Sequence, residues 1–214
     1  MAIFQTTVYE SRPVEGVNVF LWQLTESLEA LCAMLPDASI LAAAPYVTFK
    51  SDKRKREWVA VRVLLRQVCG QPVSIFYKDN GKPYLKPSIA EFSVSHTKSV
   101  VGIALSQRRV GIDVEQIGPR PLLLKSQFVH CEEFDPMSVG FAELMATFMW
   151  SAKESVYKLL GIPGVELKAD IHLFPIVVGE DYTCLSAKIA HYSQSVSVAC
   201  YKYTEFVLTV ATFD

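Results

Sequence analysis

The chain of 214 residues lacks several features that mark specialised classes of protein. Its five cysteines are scattered, odd in number and never spaced as a CxxC pair, which argues against a disulfide framework or a zinc site and favours reduced thiols. The longest uncharged apolar stretch, residues 39–49, is far shorter than the roughly 18 residues that a membrane span needs. No basic region followed by an apolar core opens the sequence, so we expect no secretion signal and a cytoplasmic location.

Charge of neither sign predominates, because 21 lysines and arginines face 22 aspartates and glutamates. A globally basic nucleic-acid-binding protein is therefore not expected. Half of the residues are hydrophobic and a fifth are charged, a composition typical of a chain that buries a sizeable core.

Helical and strand patterns are both present, which predicts an α+β protein. Helices are predicted at residues 57–69 and 141–160. The predicted strands cover residues 92–95, 100–105, 110–115, 169–174, 183–191, 196–203 and 206–212. The first three strands are expected to form a meander, and the last two a hairpin.

A weak internal repeat links the two predicted helices. The pattern Glu57-Trp58-x-Ala60-x-Arg62 resembles Met149-Trp150-x-Ala152-x-Glu154, and strands follow each copy. This predicts two related α+β halves, with domains at residues 1–108 and 109–214. Chance similarity between two amphipathic helices explains the repeat equally well.

Charge is divided unevenly between these halves. Residues 50–66 contain seven basic and two acidic side chains, whereas residues 113–154 contain seven acidic and three basic ones. A polyanion held through a metal ion would use both regions.

The segment Gly111-Ile112-Asp113-Val114-Glu115 contains two carboxylates at alternate positions of a predicted strand. Asp113 and Glu115 therefore share one face, while Ile112 and Val114 face the core. Two such carboxylates repel each other unless a cation lies between them, and Mg²⁺ prefers oxygen ligands of this kind. The alternative is a solvated strand face with two ordinary acids.

Two further segments contain residues that could take part in catalysis or ligand binding. Glu154 and Lys158 are four residues apart on the second predicted helix and share a face, although such a pair is also an ordinary surface contact worth about 0.2–0.5 kcal/mol. Ser95 and His96 lie where a strand enters a turn and could bind a phosphate or simply cap the turn. A Ser–His nucleophile pair is disfavoured, because adjacent strand residues point apart and no GxSxG motif surrounds the serine.

Six segments occur in a fixed order along the chain: Lys53-Arg54-Lys55-Arg56-Glu57-Trp58, Gly81-Lys82-Pro83-Tyr84-Leu85, Phe92-Ser93-Val94-Ser95-His96, Gly111-Ile112-Asp113-Val114-Glu115, Phe128-Val129-His130-Cys131-Glu132-Glu133-Phe134 and Trp150-Ser151-Ala152-Lys153-Glu154-Ser155-Val156-Tyr157-Lys158. In this combination and spacing they resemble the 4′-phosphopantetheinyl transferases of the Sfp type. The likeness spans about residues 45–174.

The resemblance implies an enzyme that moves the phosphopantetheine arm of coenzyme A to a serine of an apo acyl or peptidyl carrier protein and releases 3′,5′-ADP. Such carriers serve fatty acid, polyketide or nonribosomal peptide synthesis. The family's fold implies two similar α+β halves forming a pseudo-dimer, with the site in the cleft between them. A monomer would then suffice, with no nucleic-acid or membrane partner.

The resemblance also implies roles for individual residues. Asp113, Glu115 and Glu154 would bind Mg²⁺, with Glu154 also serving as general base, directly or through water, and Lys158 would stabilise the phosphoryl oxygens. The residues implied to bind coenzyme A are Arg56, Arg62, Lys82, Ser95, His96 and Lys153. The carrier protein would dock on the segment Leu122–Ala142, which supplies apolar Leu122, Leu123, Leu124, Phe128 and Phe134.

Three rival functions remain open. The basic stretch from Lys50 to Arg66 could follow nucleic-acid phosphates, although no nucleic-acid-binding motif accompanies it. The three carboxylates could serve a metal-dependent phosphodiesterase or nuclease, although the histidine-rich ligand sets of two-metal hydrolases are missing. A catalytically inactive relative that only binds carriers is the last alternative, and the intact carboxylates argue against it.

Overall fold

The computed structural model describes residues 8–10, 14–42, 45–131, 133, 141–178 and 182–214. The helices are α1 (Leu28–Ala33), α2 (Asp52–Cys69), α3 (Pro119–Leu123), α4 (Lys125–Phe128) and α5 (Ala142–Leu160), with 3-10 turns at Ala38–Ala42 and Tyr46–Thr48. The strands are β1 (Val8–Glu10), β2 (Val17–Gln23), β3 (Ser74–Tyr77), β4 (Pro83–Lys86), β5 (Glu91–His96), β6 (Val100–Ser106), β7 (Val110–Gln116), β8 (Ile171–Val178), β9 (Tyr182–Ile189), β10 (Val196–Lys202) and β11 (Phe206–Phe213).

The strands form two antiparallel sheets and a separate hairpin. The first sheet has the order β1-β2-β6-β5, the second has the order β7-β11-β10-β9-β8, and β3 pairs with β4. In the first sheet β2 pairs with β6 and β6 with β5, and in the second β7 pairs with β11 and β11 with β10. In each sheet an early strand pairs with the last strand in sequence, and that last strand pairs with the strand just before it in sequence. This shared order is compatible with two related halves. The pseudo-dimer and the boundary at residues 108 and 109 remain predictions.

The apolar side chains form three clusters, which define the layers. One cluster joins α2 to the first sheet, and another joins α5 to the second sheet. The third contains residues of β2, β6, β7, β10 and β11 and lies between the two sheets. The edge strands β5 and β7 lie next to each other at this interface. The Ser93 hydroxyl on β5 accepts a hydrogen bond of 3.0 Å from the Ile112 amide on β7.

The two long helices end as their sequences predict. α2 ends at Gly70 and α5 at Gly161, and each glycine adopts a left-handed conformation with φ of 64° and 57°, which a side chain would disfavour. The α+β class, both helices and the hairpin of β10 and β11 are confirmed.

The predicted meander is wrong in its third strand. β5 pairs with β6, but β7 pairs with β11 in the other sheet. The reason lies in the buried side chains of β7, because Ile112 and Val114 pack between the sheets.

No helix in the described part of the chain is long and apolar enough to cross a membrane, and the five cysteines, all within that part, are free.

Candidate active site

A cavity of about 360 Å³ opens where β5, β7 and α5 meet. Its lining residues are Val94, Ser95, His96, Asp113, Val114, Glu115, Trp150, Glu154 and Lys158. Three segments that are far apart in sequence therefore contribute to one cleft, and seven of the nine residues carry polar or ionisable groups.

Asp113 lies at the centre of this cleft and is only 5% exposed. Its Oδ1 accepts hydrogen bonds from the Ser95 hydroxyl at 2.8 Å and from the Lys158 ammonium at 2.7 Å. Its Oδ2 is buried and has no hydrogen-bond partner in the described structure. A buried carboxylate oxygen without a partner is costly, so this atom is positioned to bind a donor or a cation.

Gly111 explains how α5 comes so close to β7. A Cβ at this position would lie 1.9 Å from the backbone oxygen of Ser155, so only glycine permits this packing. The close approach brings Lys158 of α5 within hydrogen-bond distance of Asp113 on β7.

Glu115 and Glu154 complete an acidic site in which the negative charges of the carboxylates repel one another. Burial raises the pKa of Glu115, and the nearby Asp113 raises it further. Burial also raises the pKa of Glu154; Lys158 opposes that shift, whereas Asp113 and Glu115 add to it. The site therefore carries more negative charge than the ammonium of Lys158 offsets.

The residue types in the cleft suit a hard divalent cation. In the part of the chain that the structure describes, no three His, Cys, Asp or Glu side chains already stand in metal-binding positions. The donors are nevertheless carboxylate oxygens, which Mg²⁺ prefers, and one of them is buried without a partner. The chemistry of these donors therefore fits such an ion.

His96 lies beside Ser95 but points to a different neighbour. Its Nδ1 is 3.5 Å from Oε2 of Glu57 on α2, and Lys53 and Arg54 approach the same carboxylate at 3.7 and 4.0 Å. Burial lowers the pKa of His96, while Glu57 opposes the shift. The basic start of α2 thus lies at the edge of the cleft. Glu57 was not predicted as a site residue, although an acid directly after the basic residues 53–56 was a usable signal.

A second cavity of about 210 Å³ lies beside the first, between residues 80–83, β5 and the end of α5. There the Lys82 ammonium donates to the Leu159 oxygen at 3.0 Å, and the Asn80 amide donates to the Gly161 oxygen at 2.6 Å. Burial lowers the pKa of Lys82 to about 8. Lys82 therefore borders the cavity while capping α5.

Three residues predicted to bind coenzyme A lie outside both cleft cavities. Arg56 donates to the backbone oxygens of Glu26 and Leu24 at 2.7 and 2.8 Å. The guanidinium of Arg62 stacks on the Trp58 ring at 3.3 Å and faces a separate cavity between α2 and β3. For these two arginines the structure supports a structural role.

Lys153 is the third of these residues outside both cavities. Its side chain is fully buried, and its ammonium bonds to Glu133, Leu167 and Ile171. Since a lysine has three donors, none is left for coenzyme A.

The segment predicted to dock the carrier is partly described. Leu123 is 78% exposed and Phe141 is 61% exposed, whereas Phe128 is fully buried against Trp150, with ring centroids 5.1 Å apart. Phe128 is therefore a core residue and not a docking residue. Phe134 lies outside the described residues.

No family model matches the chain, but named relatives do. A 4′-phosphopantetheinyl transferase of Bacillus pumilus, psf-1, is 32% identical over 130 residues, which cover 56% of this chain and 55% of that protein. The 4′-phosphopantetheinyl transferase AcpT of Salmonella typhimurium is 30% identical over 134 residues, covering 59% of this chain and 67% of the relative. The transferase gsp of Aneurinibacillus migulanus is 33% identical over 107 residues, covering 47% and 45%.

The match spans about half the length of the Bacillus and Aneurinibacillus proteins and two thirds of the Salmonella protein. The three relatives carry the same activity in their names. Together with the convergence of the acidic strand and the Glu154–Lys158 helix in one cleft, this likeness shows that the chain belongs to the 4′-phosphopantetheinyl transferase family.

Proposed function

We propose that this protein transfers the 4′-phosphopantetheine arm of coenzyme A to a serine of an apo acyl or peptidyl carrier protein, with Mg²⁺ bound, and releases 3′,5′-ADP. The observation that carries the proposal is the meeting of Asp113, Glu115, Glu154 and Lys158 in one cleft. The names of the relatives support the reaction class.

The reaction joins the serine oxygen to the phosphorus that bears the pantetheine arm. The bond between that phosphorus and the bridging oxygen breaks, and 3′,5′-ADP leaves with the bonding electrons. The serine proton must pass to a base. Glu154 suits this role, directly or through water, because its raised pKa makes it a better proton acceptor than an ordinary glutamate.

Lys158 would stabilise charge on the phosphoryl oxygens. Its ammonium is held at 2.7 Å by Asp113 Oδ1, so it is already oriented before substrate binds. Preoriented charges of this kind lower the barrier without reorganisation during the reaction.

The proposed ligands of Mg²⁺ are Asp113, Glu115 and Glu154. Their support is the buried Oδ2 of Asp113, which lacks a partner, and the raised pKa values of both glutamates. When bound, Mg²⁺ would neutralise the diphosphate and polarise its phosphorus.

The nucleotide end of coenzyme A would lie along β5. The two cavities adjoin there, since Val94 and Lys158 line both. Ser95, His96 and Lys82 would contact the phosphates and the nucleotide, and His96 would contact the 3′-phosphate. Exposed Leu123 and Phe141 support docking of the carrier on residues 122–142. We propose that the enzyme acts as a monomer in the cytoplasm. The free cysteines support the location, because disulfides are rare in the reducing cytosol.

Incubation with coenzyme A, Mg²⁺ and a panel of apo-carrier proteins tests this function by intact mass. We expect a carrier to gain one phosphopantetheine, and a chelator to prevent the gain. Asp113→Asn should lose the activity, while Glu205→Gln, at an exposed acid on the turn before β11, serves as the matched control. If no carrier gains mass with either Mg²⁺ or Mn²⁺, the proposed function is wrong.

A further inference from the structure

Glu57 is buried although it directly follows the basic residues 53–56 at the start of α2. Its side chain is only 6% exposed. Acidic side chains are almost never buried unless they are paired, so the partners of this carboxylate indicate its role. Those partners come from two elements, α2 itself and β5.

The partners on α2 do not account for the burial. Lys53 Nζ lies 3.7 Å from Oε1 of Glu57, and Arg54 Nη1 lies 4.0 Å from Oε2. Both cations are mostly exposed, at 66% and 64%, and exposed ion pairs contribute little to stability. The lysine also precedes the glutamate by four residues, which is the less favourable order in a helix. Stabilisation of α2 is therefore a poor reason for burying an acid here.

The partner on β5 is His96, which ends that strand and lines the cleft. Its Nδ1 lies 3.5 Å from Oε2 of Glu57. The two ring nitrogens are distinct, and the contact made by one determines what the other presents. Because Nδ1 and Nε2 point in different directions from the ring, a ring whose Nδ1 faces α2 directs Nε2 away from α2. Nε2 is then the ring nitrogen available to a bound phosphate.

The charges around His96 show why an acid is needed beside it. Lys158, Arg54 and Lys53 each lower the pKa of His96, whereas Glu57 raises it. A protonated imidazole donates from both nitrogens, so Nδ1 can face Glu57 while Nε2 donates to a phosphate oxygen. A carboxylate in direct contact with a phosphate would repel it. Glu57 therefore acts through the ring and not on the ligand.

We propose that Glu57 is a positioning residue: it holds the His96 ring with Nδ1 towards α2 and Nε2 towards the cleft, and thereby sets the preference for coenzyme A over dephospho-coenzyme A. The inference rests on the proposed function, because it concerns the 3′-phosphate of the same substrate. Without Glu57 the ring rotates away from the orientation that reaches this phosphate. Contacts to the rest of coenzyme A are kept.

A double-mutant cycle on the full chain tests this by isothermal titration of both ligands. The measured quantity is the dissociation constant of dephospho-coenzyme A divided by that of coenzyme A. We expect His96→Ala to lower this ratio about tenfold and Glu57→Met to lower it about threefold or more, since a freely rotating ring keeps only part of a charge-assisted contact. The double variant Glu57→Met/His96→Ala should match His96→Ala within about twofold, because the effects of residues that act through one another do not add.

The controls separate positioning from stability. Glu57→Met should fold, because the two cations that it leaves are mostly exposed, and circular dichroism checks this. Glu57→Gln keeps an oxygen that accepts from Nδ1, so it should retain most of the preference. Glu29→Met, at an exposed acid in the first turn of α1, should match the parent. An unchanged ratio in folded Glu57→Met, or losses that add in the double variant, would overturn the proposal.

Nitrogen NMR of the His96 ring gives a readout that needs no ligand, and His96→Ala assigns the signals. At pH 8, above the lowered pKa of His96, the neutral ring of the parent should carry its proton on Nδ1, and Glu57→Met should lose that preference. A parent ring protonated on Nε2 would overturn the positioning role without any variant of Glu57. A parent that binds neither ligand but carries the proton on Nδ1 would instead count against the proposed function.

Discussion

The ammonium of Lys158 lies 2.7 Å from Oδ1 of Asp113, a residue 45 positions earlier in the chain. The same oxygen accepts the Ser95 hydroxyl at 2.8 Å. One carboxylate oxygen therefore holds β5, β7 and α5 together at the cleft, while the other oxygen of Asp113 is buried without a partner. Asp113 is the residue on which the organisation of the site depends most.

Asp113→Asn should lower turnover by about 100-fold or more, the usual effect of removing one preorganised electrostatic contact. The amide keeps the shape of the side chain but removes its charge, so it weakens both the ion pair with Lys158 and the proposed cation site. Stabilisation of the protein by coenzyme A with Mg²⁺, measured as a shift in melting temperature, should also disappear. Near-normal turnover would show that the Asp113 carboxylate has only a structural role.

Glu115→Gln should increase stability at neutral pH when a chelator is present. Because the folded-state pKa of Glu115 is raised above 4.5, its favourable contribution is present below the unfolded value and is lost as pH rises through the folded value. The variant should therefore melt higher than the parent at pH 7, and the advantage should shrink towards pH 4.5. Turnover should fall less than in Asp113→Asn, because Mg²⁺ readily accepts water as a ligand.

The control for this stability effect is Glu205→Gln, which should show no such advantage at pH 7. A Glu115→Gln variant that melts no higher than the parent at pH 7 would mean that the ionised glutamate is not destabilised by burial and by Asp113. The measurement is a pair of melting curves at each pH.

His96→Ala should weaken coenzyme A more than it weakens dephospho-coenzyme A, which lacks the 3′-phosphate. Charge-assisted hydrogen bonds are worth about 1.5–3 kcal/mol, so the loss specific to coenzyme A should be about tenfold or greater. Isothermal titration of both ligands measures it. Equal losses would remove His96 from the 3′-phosphate site.

Local periodicity was sufficient to predict the main elements near the cleft. Alternation in the strand placed Ile112 and Val114 in the core, and both are buried between the sheets. The pairing of β7 with β11 was not predictable in this way, because an alternating pattern shows which face is buried but not which strand lies alongside. The meander failed for that reason.

Helix geometry explains why Lys153 lies outside the cleft while Glu154 lines it. Adjacent residues of a helix point about 100° apart, so when Glu154 faces the cleft its neighbour does not. The six-segment motif shows which residues occur together, whereas the helix geometry determines which of them share a face. Arg56 likewise turns away from the cleft, towards the backbone oxygens of Leu24 and Glu26.

Lys82 connects the start of β4 to the end of α5. Its ammonium bonds to the Leu159 oxygen at 3.0 Å, next to the bonds that Asn80 and Arg109 make to the oxygens of Gly161 and Leu160. Donors at the carbonyl end of a helix stabilise it. Lys82→Met should therefore reduce stability and leave the end of α5 less well fixed.

The pH dependence of that loss separates the effect of charge from that of the hydrogen bond. The pKa of Lys82 is about 8 in the folded protein against 10.5 as the reference, so between these values the unfolded chain binds more protons and stability rises with pH. The neutral amine that forms can still donate to Leu159. The parent should therefore gain stability relative to Lys82→Met as pH rises from 7.5 to 10, as measured by urea unfolding, while the difference between the parent and the control Lys202→Met, at an exposed lysine that ends β10, stays constant. A difference between the parent and Lys82→Met that does not change over this range would mean that the ammonium is not desolvated where it caps α5.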